Sequence, residues 1–213
     1  MSFYEYGQTE EYLLSLVDNS GPPGPEDVAA EAEKFGAPIV SRTGAQLLKT
    51  LMHALRPRRI LEIGTAIGYS ALVMLLSSSA QLYTIDFDEA ALERARRNFR
   101  RYGVEKRVRI LSGDASLVLP MVEGEFDFVF LDGPKGRYYE YLPYIIDLLP
   151  RGGVLLADNV LYSERMSGGR EIPKSKQTIA DRLAIFMRDV TSDPRLVTSV
   201  LPVGDGMSLS VKL

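Results

Sequence analysis

Residues 59–70 read RILEIGTAIGYS, and this stretch decides the fold. Arg59–Ile63 is a short apolar run suited to a strand. Gly64 and Gly68 break it, and Tyr69–Ser77 then has the length and composition of a helix. A strand that passes through a glycine-rich turn into a helix is the opening unit of a parallel α/β sheet. The pattern repeats downstream. Apolar runs at Gln81–Ile85, Val108–Leu111, Phe126–Leu131 and Gly153–Ala157 alternate with helix-length segments at Glu89–Tyr102, Ala115–Met121 and Tyr138–Leu149. Near-continuous apolar strands separated by helices imply a parallel sheet covered on both faces. Right-handed crossovers make it doubly wound. After a long helix over Lys174–Val190, Leu196–Leu201 and Met207–Lys212 flank the turn Val203-Gly-Asp-Gly206, the spacing of a terminal antiparallel hairpin. The expected fold is α/β, a doubly wound Rossmann-like sheet of seven strands.

Upstream of this core the pattern is helical. Helices are expected at Glu10–Val17, at Glu26–Phe35 with Gly36 as a stop, and at Thr43–Leu55. Ser20-Gly-Pro-Pro-Gly-Pro25 separates the first two, and Leu47, Leu48, Leu51, Met52 and Leu55 form an apolar stripe along the third. There is no repeat and no low-complexity tract, so residues 1–213 read as one domain: N-terminal helices at 1–56 and a core at 57–213.

Composition narrows the classes. Hydrophobic residues make up 46% and charged residues 25%, ordinary for a globular protein with a real core. No apolar run reaches the roughly 18–20 residues of a membrane helix. The opening MSFYEYGQTEEY has neither the basic nor the apolar segment of a secretory signal, so a cytoplasmic location is expected. Without cysteine there is no disulfide framework and no thiolate metal site, which leaves oxygen ligands or the single histidine, His53. His53 falls on the polar flank of its helix and reads as structural. Residues 1–36 hold eight acids and one base, so a net charge of −3 leaves the rest of the chain at +4. That excess is too small to imply a polyanion by itself.

The glycines at 64 and 68 let backbone approach a ligand closely and adopt positive φ. Their spacing is G-x-x-x-G and not the dinucleotide G-x-G-x-x-G, which favours a ligand with no pyrophosphate to seat on the helix N-terminus. The same spacing counts against a nicotinamide-dependent oxidoreductase. Asp86 closes the second strand 22 residues beyond Gly64, where an acid accepts hydrogen bonds from ribose hydroxyls. Ser112-Gly-Asp-Ala115 follows the third strand and puts Asp114 where an adenine amino group can be recognised. Three such strand ends point to a nucleoside cofactor. Glu62 either faces that ligand or caps nearby backbone.

Two further strand ends carry acids: Leu131-Asp-Gly-Pro-Lys135 and Ala157-Asp-Asn159. Neighbouring strands lie roughly 4.8 Å apart, so Asp132, Asp158 and Asn159 can converge. Two carboxylates and an amide oxygen make a hard, incomplete site that suits Mg2+. The structural alternative is that Asp158-Asn159 opens a turn and Asp132 caps a helix. Lys135 is either a solvated loop lysine or a general base. A lysine beside a bound cation gives up its proton more readily and can take one from an acceptor hydroxyl.

From about residue 36 to its end the chain resembles the catechol O-methyltransferase-like family of metal-dependent methyltransferases. LEIGTAIGYSA, the strand end at Asp86, LDGPK and LLADNVLY stand in the family's order. The resemblance implies the strand order 3-2-1-4-5-7-6 with the last strand antiparallel. It implies an enzyme that moves a methyl group from S-adenosylmethionine to an oxygen with the help of Mg2+ or another divalent cation. It assigns Glu62, Gly64, Ser70, Asp86 and Asp114 to S-adenosylmethionine, together with Ala115, Asp132 and Val40, the last near the methionine end. Asp132, Asp158 and Asn159 would hold the metal, and Lys135 would be the general base. With this whole set present, a non-catalytic binding module is disfavoured.

Within the family, LEIGTAIGYSA, DNVLY and the ending LPVGDGMSLSVKL are similar to the compact bacterial branch that methylates 5-hydroxyuridine at the tRNA wobble position. From this branch Gly133-Pro134 and the sparsely basic stretch Ser163–Ser175 depart. The resemblance makes tRNA the first expected acceptor and a small catechol or phenolic metabolite the second. Both offer the metal two adjacent oxygens. Arg94, Arg96, Arg97, Arg100, Arg101, Lys106, Arg107 and Arg109 form a basic run that either contacts phosphate or is a solvated helix face. The family commonly pairs, and the N-terminal helices look amphipathic, so a homodimer is expected.

Overall fold

The computed structural model describes residues 11–16, 24–161 and 174–213, with side chains from 177 in the last span. The linker before residue 24, most of the sparsely basic stretch Ser163–Ser175 and the outer ends of the first helix lie outside the described residues. Seven strands form one sheet in the order β3-β2-β1-β4-β5-β7-β6. They are β1 (Arg59–Ile63), β2 (Gln81–Asp86), β3 (Val108–Ser112), β4 (Phe128–Leu131), β5 (Val154–Ala157), β6 (Leu196–Leu201) and β7 (Met207–Lys212). The first five run parallel, and β7 inserts antiparallel between β5 and β6. The helices are α1 (11–16), α2 (Glu26–Phe35), α3 (Arg42–Leu55), α4 (Tyr69–Leu76), α5 (Glu89–Arg101), α6 (Ala115–Val118), α7 (Tyr138–Leu148) and α8 (Lys174–Ser192).

The central strands alternate sides with period two, as a sheet covered on both faces requires. Ile60, Phe128, Phe130 and Leu156 join one buried cluster with Leu48, Met52 and Leu72 of α3 and α4. Leu61, Ile63, Val129, Leu131 and Leu155 join the other, with Tyr138, Tyr141 and Ile145 of α7 and Phe186 of α8. Among the described residues no helix is long and apolar enough to cross a membrane.

Three boundaries differ from expectation by two residues or more, for local reasons. β4 begins at Phe128 and not at Phe126, because the Asp127 carboxylate accepts the backbone N–H groups of Arg58 (2.7 Å) and Arg59 (2.9 Å) while Phe126 N–H turns to Leu148. The helix expected over Ala115–Met121 splits: α6 stops at Val118, and Pro120, which has no N–H, sits in a tighter 3-10 turn over Leu119–Met121. The last helix runs to Ser192, whose Oγ bonds back to Arg188 O at 2.7 Å. At the other end of the sheet, Lys212 donates to the carbonyls of Ile146 (2.7 Å) and Leu149 (2.6 Å), closing the C-terminus of α7 with a cation where the helix dipole is negative.

The basic run is mostly solvent-exposed, with Arg94, Arg96 and Arg107 half-buried, and several of its members make contacts within the chain. Arg94 pairs with Glu31 at 3.4 Å and lies 3.9 Å over the Phe35 ring, and Arg101 and Tyr102 both reach Asp27, so α2 is tied to α5. Arg107 donates to the carbonyls of Leu75 and Ser78, both at 2.8 Å. Arg109 stacks against Tyr83.

Candidate active site

The carboxyl ends of β1, β2, β3 and β4 surround a cavity of about 250 Å³. Gly64 leaves β1 with φ +104°, and a β carbon there would stand 2.3 Å from the backbone oxygen of Asp132. Only glycine fits such an approach. The turn is then held by its neighbours. Ala66, at φ +44°, donates its N–H to Asp86 Oδ2 at 2.8 Å, and the buried Asn98 of α5 donates to Ile67 O at 3.0 Å.

Of the residues expected to bind the cofactor, Val40, Gly64, Ser70 and Asp86 line the cavity, and so do Asp114, Ala115 and Asp132. Lys135 joins them. Asp86 is also the anchor of the turn, since Oδ1 accepts Asp88 N–H at 3.1 Å. Asp114 caps α6: its Oδ1 accepts the Ser116 Oγ (2.7 Å) and N–H (2.9 Å) groups, and its Oδ2 faces Arg137 Nη1 at 3.0 Å. The Ser116 hydrogen bonds, and then Arg137, hold this carboxyl below the usual range.

Glu62 is placed differently. It is fully buried and stands behind the cavity wall, where Oε1 accepts Ser70 Oγ and Oε2 accepts Thr84 Oγ1, each at 2.6 Å. It therefore reaches the cavity through Ser70 and caps hydroxyls, not backbone. Burial pushes its carboxyl up to about 8 against the opposing pull of those two hydrogen bonds.

At the chemical end, burial and then the Asp158 charge lift Asp132 to about 7, with Lys135 opposing. Burial also lifts Asp158 to about 6. Asn159 leaves β5 with φ +57° and donates its N–H to Asp158 Oδ1 at 2.6 Å. The buried Asp158 raises the proton affinity of the half-buried Asp132 and is itself raised by Asp205, with one lysine opposing both, which is the condition a cation relieves. Among the described residues no group of three His, Cys, Asp or Glu side chains could hold a metal, and the sequence-expected set of Asp132, Asp158 and Asn159 would offer two carboxylates and an amide oxygen. That set fits a hard cation with open positions. Arg137, Tyr141, Tyr69 and Phe87 also line the cavity and were not singled out from the sequence.

The chain that carries this cavity is similar to known proteins over most of its length. The O-methyltransferase family model matches residues 28–213, and the chain belongs to that family. Catechol O-methyltransferase of Mycobacterium tuberculosis is 35% identical over 191 residues, 86% of this chain and 84% of that one. Caffeoyl-CoA O-methyltransferase of Mesembryanthemum crystallinum is 29% identical over 213 residues, 93% of this chain and 84% of the relative. The structure of Podospora anserina methyltransferase PaMTH1 with S-adenosylhomocysteine bound superposes with a TM-score of 0.88 at 27% identity, covering 100% of this chain and 97% of that one. The protein is an S-adenosylmethionine-dependent O-methyltransferase of the caffeoyl-CoA and catechol type.

Proposed function

We propose that this enzyme methylates one hydroxyl of an acceptor that presents two adjacent oxygens, with a divalent cation held by Asp132, Asp158 and Asn159. The observation that carries this is the buried Asp158 raising the proton affinity of Asp132, which lines the cofactor cavity with Lys135. When bound, the cation supplies Lewis acidity towards the acceptor oxygens. Asp86 takes the ribose hydroxyls, and Asp114 with Ala115 takes the adenine. Ser70, backed by Glu62, and Val40 form the methionine end. Lys135 Nζ takes the proton from the acceptor hydroxyl, so that the oxygen attacks the methyl group as an anion. Gly64 and Asp132, in backbone contact, hold the cofactor and acceptor ends in register.

A small dihydroxyaromatic acceptor is the first reading. The catechol and caffeoyl-CoA relatives support it, and so does the commitment of the half-buried Arg94 and Arg107 to contacts within the chain. The second reading is 5-hydroxyuridine at the tRNA wobble position. Arg97 and Arg100 favour it: both are exposed on α5 and only 3.9 and 3.8 Å from a shared Glu93, a weak commitment. Mass spectrometry of methylated catechol in vitro, and of tRNA nucleosides from cells with and without the protein, separates the two. Catechol turnover with unchanged tRNA nucleosides supports the first. Transfer to tRNA alone, falling steeply with salt, overturns it in favour of the second.

A further inference from the structure

We infer that the turn between β6 and β7 is part of the chemical end of the site, with Asp205 as a positioning residue that holds Asn159. The inference rests on the proposed divalent site. The Asn159 side-chain amide nitrogen donates to Asp205 Oδ2 at 3.5 Å. An amide has one end that donates and one that accepts. With the nitrogen turned towards a carboxylate at the outer limit of hydrogen-bond distance, the oxygen is the end left to a cation. Side chains that orient metal ligands in this way govern affinity without touching the metal.

The backbone pins Asp205 in place. Val160 N–H donates to Gly206 O at 2.9 Å and Leu161 N–H to Asp205 O at 3.1 Å, so the exit of β5 is laced to the turn immediately after Asn159. The glycines on either side permit this closeness. Gly206, at φ +88°, lies where a β carbon would stand 2.3 Å from Leu161 Cβ. Gly204, at φ +56°, lies where one would stand 2.6 Å from Ser41 Oγ. Ser41 caps α3 by accepting Gly44 N–H at 3.1 Å, and the preceding Val40 lines the cofactor cavity. One turn thus braces both the cofactor wall and a proposed metal ligand, which explains why a hairpin at the far edge of the sheet bears an exposed acid between two constrained glycines.

The test is Mn2+ binding to the full chain by electron paramagnetic resonance, with S-adenosylmethionine affinity by calorimetry as the control. Asp205→Ala should weaken Mn2+ binding about tenfold or more and leave cofactor affinity unchanged. Asp205→Asn, which keeps an acceptor oxygen, should retain most of the Mn2+ affinity. If Asp205→Ala does not fold, Asp205→Ser, too short to reach, is read in its place. Unchanged Mn2+ affinity in the truncated variant, with the parent protein binding Mn2+ normally, overturns the inference. Equal losses in Asp205→Asn and Asp205→Ala also overturn it, because charge and not the hydrogen bond would then be responsible. A parent protein that binds no Mn2+ at all defeats the divalent site itself, and the inference with it.

Discussion

Gly64 and Asp132 touch through their backbones: a β carbon on Gly64 would stand 2.3 Å from the Asp132 carbonyl oxygen and 2.7 Å from its carbonyl carbon. The turn proposed to bear the cofactor is therefore packed directly on the strand end proposed to bear the chemistry. Gly64→Ala should cost more than the about 1–3 kcal/mol of a strained φ, because the clash is with backbone that cannot rotate away, and it should abolish S-adenosylmethionine binding. Gly152→Ala is the control. It has φ +79° but nothing within 4 Å of a β carbon, so it should show the φ cost alone. Urea denaturation and calorimetry of both variants check this, and equal costs would mean the Asp132 strand end yields.

Glu62 and Asp132 make stability depend on pH. Burial raises the first from 4.5 to about 8 and the second from 3.8 to about 7. The native state then keeps protons that the unfolded chain has already lost. Their contribution is present at low pH and is lost as pH rises through the folded values, so the metal-free protein should lose stability between about pH 5 and 8. Glu62→Gln should flatten the upper part of that decline. Denaturant titrations at stepped pH give the slope, and a slope unaltered by the substitution would show Glu62 to be ionised in the native state.

Lys135→Ala should lower turnover by about 10²–10⁴-fold, the usual cost of a general base, with cofactor affinity intact. Part of the loss should return at higher pH, where the acceptor hydroxyl ionises unaided. Steady-state kinetics across pH decides the matter, and full turnover in the variant would remove Lys135 from the chemistry.

Lys212→Met should cost about 1–3 kcal/mol, because two charge-assisted hydrogen bonds to the end of α7 are lost. The shift should appear in the denaturant midpoint with its slope unchanged. Cofactor affinity should not alter, since Lys212 lies at the opposite end of β7 from the site.

Much of this was legible in the sequence because strand ends announce themselves. Gly64, Asp86, Asp114, Asp132 and Asp158 each follow an apolar run, and parallel topology sends all those ends to one side of the sheet. Glu62 was less legible. Alternation along β1 says which face a residue takes, but not that Ser70 and Thr84 would stand between the carboxyl and the cavity. Arg137 escaped notice because its partner Asp114 is 23 positions away in another loop. The basic run reads in sequence as a solvated helix face or a phosphate contact, and most of it is exposed, but no sequence pattern signals that Arg94 would stack on Phe35 or that Arg107 would cap carbonyls. Asp205 carried a signal, an acid between two turn glycines, but only the fold brings it to Asn159.

The central claim is metal-assisted transfer to an oxygen that has a neighbouring oxygen. The most direct measurement is mass-spectrometric detection of methyl transfer from S-adenosylmethionine to catechol and to phenol, before and after exhaustive chelation and after Mg2+ is restored. The account predicts methylated catechol in quantity, little methylated phenol, loss of transfer on chelation and recovery with Mg2+. Undiminished transfer after chelation, with the cofactor still bound, would contradict it.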